Sequence, residues 1–184
     1  KEECLLDEES NLLSKYTCYK ELAENGFVEK TSLKREKALS LMNFFGVSSL
    51  RLVPEIHSIA YRKSETEKLS RENLAAWLRC GELAGEKIQT ADFDRDKIIA
   101  SLGEIRSLTL ENPGVSSRKL VDLCASFGVA LVYLPYFKNT YVNGSTRWLN
   151  QNKALIQISL RCNWMDVFWF SFFHELGHLL KHGK

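Results

Sequence analysis

Three of the four histidines in this 184-residue chain fall in its last eleven residues, and two of them bracket a carboxylate in the run His174-Glu175-Leu176-Gly177-His178. On a helix, residues four apart stand one turn above the other on the same face, so the imidazoles of His174 and His178 can meet one metal ion. Glu175 lies about 100° round the helix from His174, off the metal axis but near enough to act as general base on a metal-bound water. With zinc, such a site uses three protein ligands and one water, whose pKa falls to about 7. The carboxylate takes the proton from that water and delivers it to the leaving amine. The chemistry is hydrolysis of a peptide bond.

The competing reading is a pair of structural histidines facing each other in a core. It would leave Glu175 and both rings needing partners on an otherwise apolar helix. The spacing supplies two ligands and no more. His182 continues the same face, but residues eight apart on a straight helix are about 12 Å apart, which places it behind the ligands or at the helix end. Cys162 and Asp166 lack convincing ligand spacing, and the third ligand is expected outside the chain. Gly177 costs the helix about 1 kcal/mol relative to Ala; either a neighbouring backbone approaches there or the glycine is simply tolerated.

The helix that carries the motif starts near Asn163 or Trp164. Trp169, Phe172, Phe173, Leu176, Leu179 and Leu180 form an apolar stripe that should anchor it in a core. Ahead of it, Tyr141 to Leu149 and Ala154 to Leu160 read as extended segments joined by a hairpin loop at Asn150-Gln151-Asn152-Lys153. In the second segment Ile156, Ile158 and Leu160 alternate with Leu155, Gln157 and Ser159, so one face should be the more apolar. This segment is expected to form a sheet edge beside the cleft and to bind peptide by strand addition, the alternative being an interior strand. Val129 to Leu134, closed by Pro135, reads as a buried strand. Arg147 and Arg161 could line the site, but each is read first as a solvated surface arginine.

Before Pro113-Gly114 the pattern is helical. One helix is expected from Glu8 to Glu24, ending at Asn25-Gly26. A second runs from about Ser32 to Gly46 and buries Ala38, Leu39, Leu41, Met42 and Phe45. Ser48-Ser49 could cap a short helix around Pro54. Ser70 opens a run with Leu74, Trp77, Leu78 and Leu83 on one face, and Asp94 caps one with Ile98, Ile99, Leu102 and Ile105. Ser116 or Ser117 caps a further helix that ends at Gly128. The expected class is therefore α+β, with an N-terminal helical region followed by a small, mostly antiparallel sheet packed on a zincin-like H-E-x-x-H helix.

Composition is that of a soluble globular chain, 45% hydrophobic and 26% charged, long enough to bury one good core or two small ones. The net charge of +2 is spread along the whole length, which argues against nucleic-acid binding by this segment. Its five cysteines form no C-x-x-C pair, so reduced thiols and a cytoplasmic location are expected. The apolar run Phe168 to Phe173 is far below the ~20 residues that cross a bilayer, and no signal peptide is expected. The chain opens on Lys1 and its helix pattern is still running at Lys184, so it is expected to be part of a longer protein.

The run Trp169-Phe170-Ser171-Phe172-Phe173, followed by His174-Glu175-Leu176-Gly177-His178-Leu179-Leu180-Lys181-His182-Gly183-Lys184, resembles the ImmA/IrrE family of metallopeptidase-like domains. Gly128 to Val132, Gly144 to Leu149 and Lys153 to Arg161 look like the branch of that family fused behind a helix-turn-helix domain in antitoxin-like regulators. The resemblance covers roughly Val115 to Lys184 and reaches back more loosely to Trp77-Leu78-Arg79. It implies that His174 and His178 are metal ligands, that Glu175 is the catalytic base, that zinc is the cofactor, and that the third ligand is an acidic residue in a later helix. It also implies a helical linker or scaffold over 1–112, behind an upstream DNA-binding domain, and a metallopeptidase-like α+β domain over 113–184 that continues past Lys184. No recognition helix is recognisable before Arg62, so DNA would be met only through that upstream domain. The implied substrate is a protein or peptide, such as a transcriptional repressor, in the bacterial cytosol. The two functions to separate are a zinc-dependent endopeptidase and a non-catalytic sensor or partner-binding domain of a transcriptional regulator or antitoxin.

Overall fold

The computed structural model describes residues 8–53, 68–161 and 165–182, with the backbone alone at His182. The protein is α+β. In chain order the described elements include α1 (Tyr19–Glu24), α2 (Lys34–Phe45), α3 (Arg71–Lys87), α4 (Arg95–Leu108), α5 (Pro113–Ser126), β1 (Val129–Leu134), β2 (Gly144–Trp148), β3 (Ala154–Ser159) and α6 (Met165–His182). No described helix is long and apolar enough to cross a membrane. The chain forms two compact units, one reaching Cys80 and including Phe137–Tyr141, the other made of Gly81–Tyr136 and the residues from Val142 on. Helix α3 contributes to both. Pro113-Gly114 lies inside the second unit, as the first turn of α5.

In the first unit the helix expected over Glu8 to Glu24 is broken. Residues 8–12 are helical, Leu13–Lys15 tighten to a 3-10 turn, and α1 starts only at Tyr19. The break has a tertiary cause. The Tyr16 hydroxyl donates to the Leu50 carbonyl at 3.0 Å, and the Cys18 amide donates to Oδ1 of the fully buried Asn73 at 3.3 Å. Asn73 also donates to Thr17 Oγ1 at 2.7 Å and to the Lys138 carbonyl at 2.9 Å, which ties Phe137–Tyr141 into this unit. Helix α2 ends at Gly46 in the left-handed region (φ 67°), as expected. Its buried stripe is Ala38, Leu41, Phe44 and Phe45; Leu39, expected inside, is exposed, and Phe44 fills the core against Phe27 and Phe45. Ser49 caps a 3-10 turn at Leu50–Leu52, while Pro54 lies outside the described residues.

The second unit is built round a three-stranded sheet in the order β1-β3-β2. The pair β1·β3 is parallel and β2·β3 antiparallel, so the sheet is mixed rather than mostly antiparallel. The strand expected at the edge, Ala154–Ser159, is the central one. It is buried on both faces, and pairing on both sides leaves it no free edge for a peptide. On one face Ile156 and Ile158 join Val129 and Leu131 in a core with Ile98, Ile105, Leu120, Phe127 and the α6 residues Trp169, Phe172, Leu176 and Leu179. On the other face the last turns of α3 come so close that a Cβ on Gly81 would meet the amide group of Gln157.

The caps differ in part from expectation. Asp94 accepts from the Lys97 amide at 2.9 Å and starts α4 as read, burying Ile98 and Ile105 but leaving Ile99 exposed. Helix α5 is capped by Asn112, with Pro113 at its first position, and not by Ser116 or Ser117; Ser116 is buried within it. Gly128 turns the chain from α5 into β1 at φ 85°, and a Cβ there would lie 2.3 Å from the backbone of Phe93. Gly128→Ala should therefore cost roughly 2–4 kcal/mol, from the left-handed backbone and from overpacking against main chain. Urea denaturation measures it, and a loss below about 0.5 kcal/mol would contradict the close approach.

Cys18, Cys80 and Cys124 are free and buried, whereas Cys4 and Cys162 lie outside the described residues. Burial pushes all three thiols up, that of Cys18 to about 12 with help from Glu21, and those of Cys80 and Cys124 higher. In the unfolded chain these thiols ionise near 9. Above that pH the unfolded state holds fewer protons than the folded one, so stability is fully present below about 9 and is lost as pH rises. The expected slope is on the order of 1.4 kcal/mol per pH unit for each thiol. Urea midpoints that stay level from pH 8 to 10.5 would show the thiols to be solvated.

Candidate metal centre

Helix α6 owes its length and placement to its composition. Its aromatic half, Phe168 to Phe173, packs ring on ring: Trp169 meets Phe168, Phe172 and Phe173 with centroids 5.3–6.2 Å apart. The stripe read from the sequence is the buried face, with Phe173 and Leu180 packed at its margin. Near the other end, the Arg95 guanidinium donates through Nε and Nη2 to the Leu180 carbonyl at 3.3 Å, a positive group on the last turns of the helix where the dipole favours it.

His174 and His178 converge. Their Nε2 atoms are 3.1 Å apart and their rings meet edge to face at 86°. His174 is exposed and His178 half-buried, so the pair opens on the surface rather than into the core. Phe170, one turn earlier and 72% exposed, stacks on the His174 ring with centroids 6.1 Å apart and planes 23° apart. In a tetrahedral zinc site with Zn–N distances of ~2.0–2.1 Å, two ligand nitrogens stand about 3.3 Å apart. The observed separation is close to that, and the donor set of two accessible imidazoles suits zinc. The same spacing also suits an N–H···N bond between two neutral rings.

Glu175 takes a different direction. It is 8% exposed and its side chain enters a slot under β2. Its Oε2 accepts a hydrogen bond from Thr146 Oγ1 at 2.7 Å, and the same hydroxyl lies 3.1 Å from the Glu175 carbonyl oxygen. Gly144, two residues earlier on the same face of β2, leaves room for it. Thr146 and Gly144 were missed as site residues in the sequence reading. The available signal was the hairpin loop, which sets β2 against β3 in antiparallel register and so fixes which β2 residues face α6.

Among the described residues no group of three or more His, Cys, Asp or Glu side chains is placed to hold a metal ion. Asp166 is exposed at the start of α6, and Cys162 and the side chain of His182 lie outside the described residues. Arg147 is on the opposite face of β2 from Thr146, paired with Glu82 at 2.9 Å, and Arg161 lies over the ring of Tyr136. Compared with family models, with curated proteins and with solved structures, the chain matches none.

Among the described residues no backbone approaches Gly177: a Cβ built there meets nothing within 4 Å. Of the two readings of this residue, the tolerated glycine stands. Gly177→Ala should therefore raise stability by about 0.8–1 kcal/mol through helix propensity alone. Thermal and urea unfolding measure it, and a destabilised variant would point to a close neighbour.

Proposed function

We propose that α6 carries a zinc-dependent metallo-endopeptidase-like centre of a bacterial regulatory protein of the ImmA/IrrE type, acting on a protein or peptide such as a transcriptional repressor. The convergence of His174 Nε2 and His178 Nε2 on an accessible helix face carries the reading. These two rings would supply two of the zinc ligands; a third is not among the described residues. When bound, zinc lowers the pKa of a water and polarises the substrate carbonyl. Glu175 is the general base in this reading, taking the proton from the attacking water and passing it to the leaving amine. A zincin-like arrangement is supported by α6 lying against the sheet beside β2, an edge strand, along which an extended substrate could pair.

One observation favours the second reading, a sensor or partner-binding domain without turnover. Glu175 is buried and held by Thr146, as a residue that clasps a strand to a helix would be. The two readings separate on metal analysis of the purified protein, third ligand included, beside its variants. The metallopeptidase reading expects about one zinc per chain, a loss of at least 100-fold in affinity for His174→Ala and for His178→Ala, and full zinc binding by Glu175→Gln with hydrolysis of labelled casein reduced ~10²–10⁴-fold. Zinc binding that survives His178→Ala would remove the reading. Equal behaviour of Glu175→Gln and the unsubstituted protein would favour the sensor.

A further inference from the structure

Glu has three rotatable side-chain bonds, and the helix restricts only the first of them. A base that must meet a water beside two imidazoles therefore needs an outside element to aim it. Residues Gly144, Thr146 and Trp148 alternate onto one face of β2, opposite Ile158, Ile156 and Ala154 of β3, and that face meets α6. We infer that β2 is the positioning strand for Glu175, with Gly144 and Thr146 as its two positioning residues. The word base in that statement rests on the metallopeptidase reading; the placement does not.

Gly144 acts by what it lacks. A Cβ there would stand 2.8 Å from Glu175 Cγ, 3.1 Å from its Oε1 and 3.2 Å from Ile158 Cδ1. Any larger residue would drive the carboxylate out of its slot or lift the strand. Thr146 acts through its hydroxyl, which has one proton to give. The 2.7 Å contact to the carboxylate is the shorter of its two, and a charged acceptor makes the stronger bond. The two residues work together only in this register, because a shift of one residue would turn Ser145 and Arg147 toward α6. The register is held by the hairpin, where the Leu149 amide donates to the Lys153 carbonyl at 2.9 Å.

Two measurements test this on the whole purified chain. In the first, Gly144→Ala is made in the unsubstituted protein and in Glu175→Ala, and folding equilibrium constants are taken from urea curves. The expected result is at least a tenfold loss in the first background and less than a threefold loss in the second, where the obstructed Cγ is gone; equal losses would overturn the slot. In the second, Thr146→Val and Thr146→Ser are compared for zinc affinity by chelator competition and for hydrolysis of labelled casein. Zinc affinity should stay within twofold in both, kcat should fall at least tenfold in Thr146→Val with KM unchanged, and Ser should restore it. A Thr146→Val protein that keeps its kcat, or a Ser variant as slow as Val, would refute the role of the hydroxyl. Failure of the unsubstituted protein to bind zinc with its third ligand included refutes the metallopeptidase reading instead, and the Gly144 cycle then decides the placement of Glu175 alone.

Discussion

Neighbouring residues of an α-helix point about 100° apart, so His174 and Glu175 cannot look the same way, and the second unit is arranged around that divergence. The imidazole of His174 stands in solvent with His178 beside it. The carboxylate next in sequence passes under a strand. A third direction is taken by Trp169, Phe172, Leu176 and Leu179, which are sealed in the core. A helix with three obligations has one rotation about its axis that meets all of them. The apolar stripe sets that rotation, since burying four large side chains is worth several kcal/mol and a turn of some tens of degrees would bring part of that surface back to water.

The sheet answers the same constraint from its side. For β2 to reach over Glu175 it has to be an edge strand held in register by an inner one, and β3 is that inner strand. Its residues from Ala154 to Ile158 are buried on both faces. Ile156 and Ile158 face α6 and the core, while Gln157 meets α3 across the gap that Gly81 leaves open. With β3 fixed between two layers, the height of Thr146 over α6 follows from its pairing with Ile156. Distances at the carboxylate are thus set by packing on the neighbouring strand.

Much of this was legible in sequence. Spacing of four with an adjacent acid located the pair of rings, and the 3.6-residue stripe located the buried face of α6, because both depend only on helical geometry. The hairpin between β2 and β3 could be read from its polar loop. What could not be read depends on partners distant in the chain. The alternation in β3 suggested one apolar face, yet both are covered, since Gly81 and its helix approach from more than seventy residues away. The Glu8 to Glu24 pattern looked like one helix because its local periodicity is unbroken; Asn73 takes the Cys18 amide, and no feature of the local sequence announces that. Gly177 and Gly144 are alike as letters, and only the neighbours show that one faces open space and the other a carboxylate.

The same burial that makes Glu175 well placed also weighs on what it is for. A carboxylate taken from water into a slot of this kind loses hydration, and a single short bond from a hydroxyl returns only part of it. As a device for joining a strand to a helix it is inefficient, because an apolar side chain of similar volume would add core contact without the desolvation cost. A neutral amide could accept the Thr146 proton as well. The feature that a carboxylate has and those substitutes lack is the capacity to take up a proton and release it. On that ground we favour the general-base reading over the clasp.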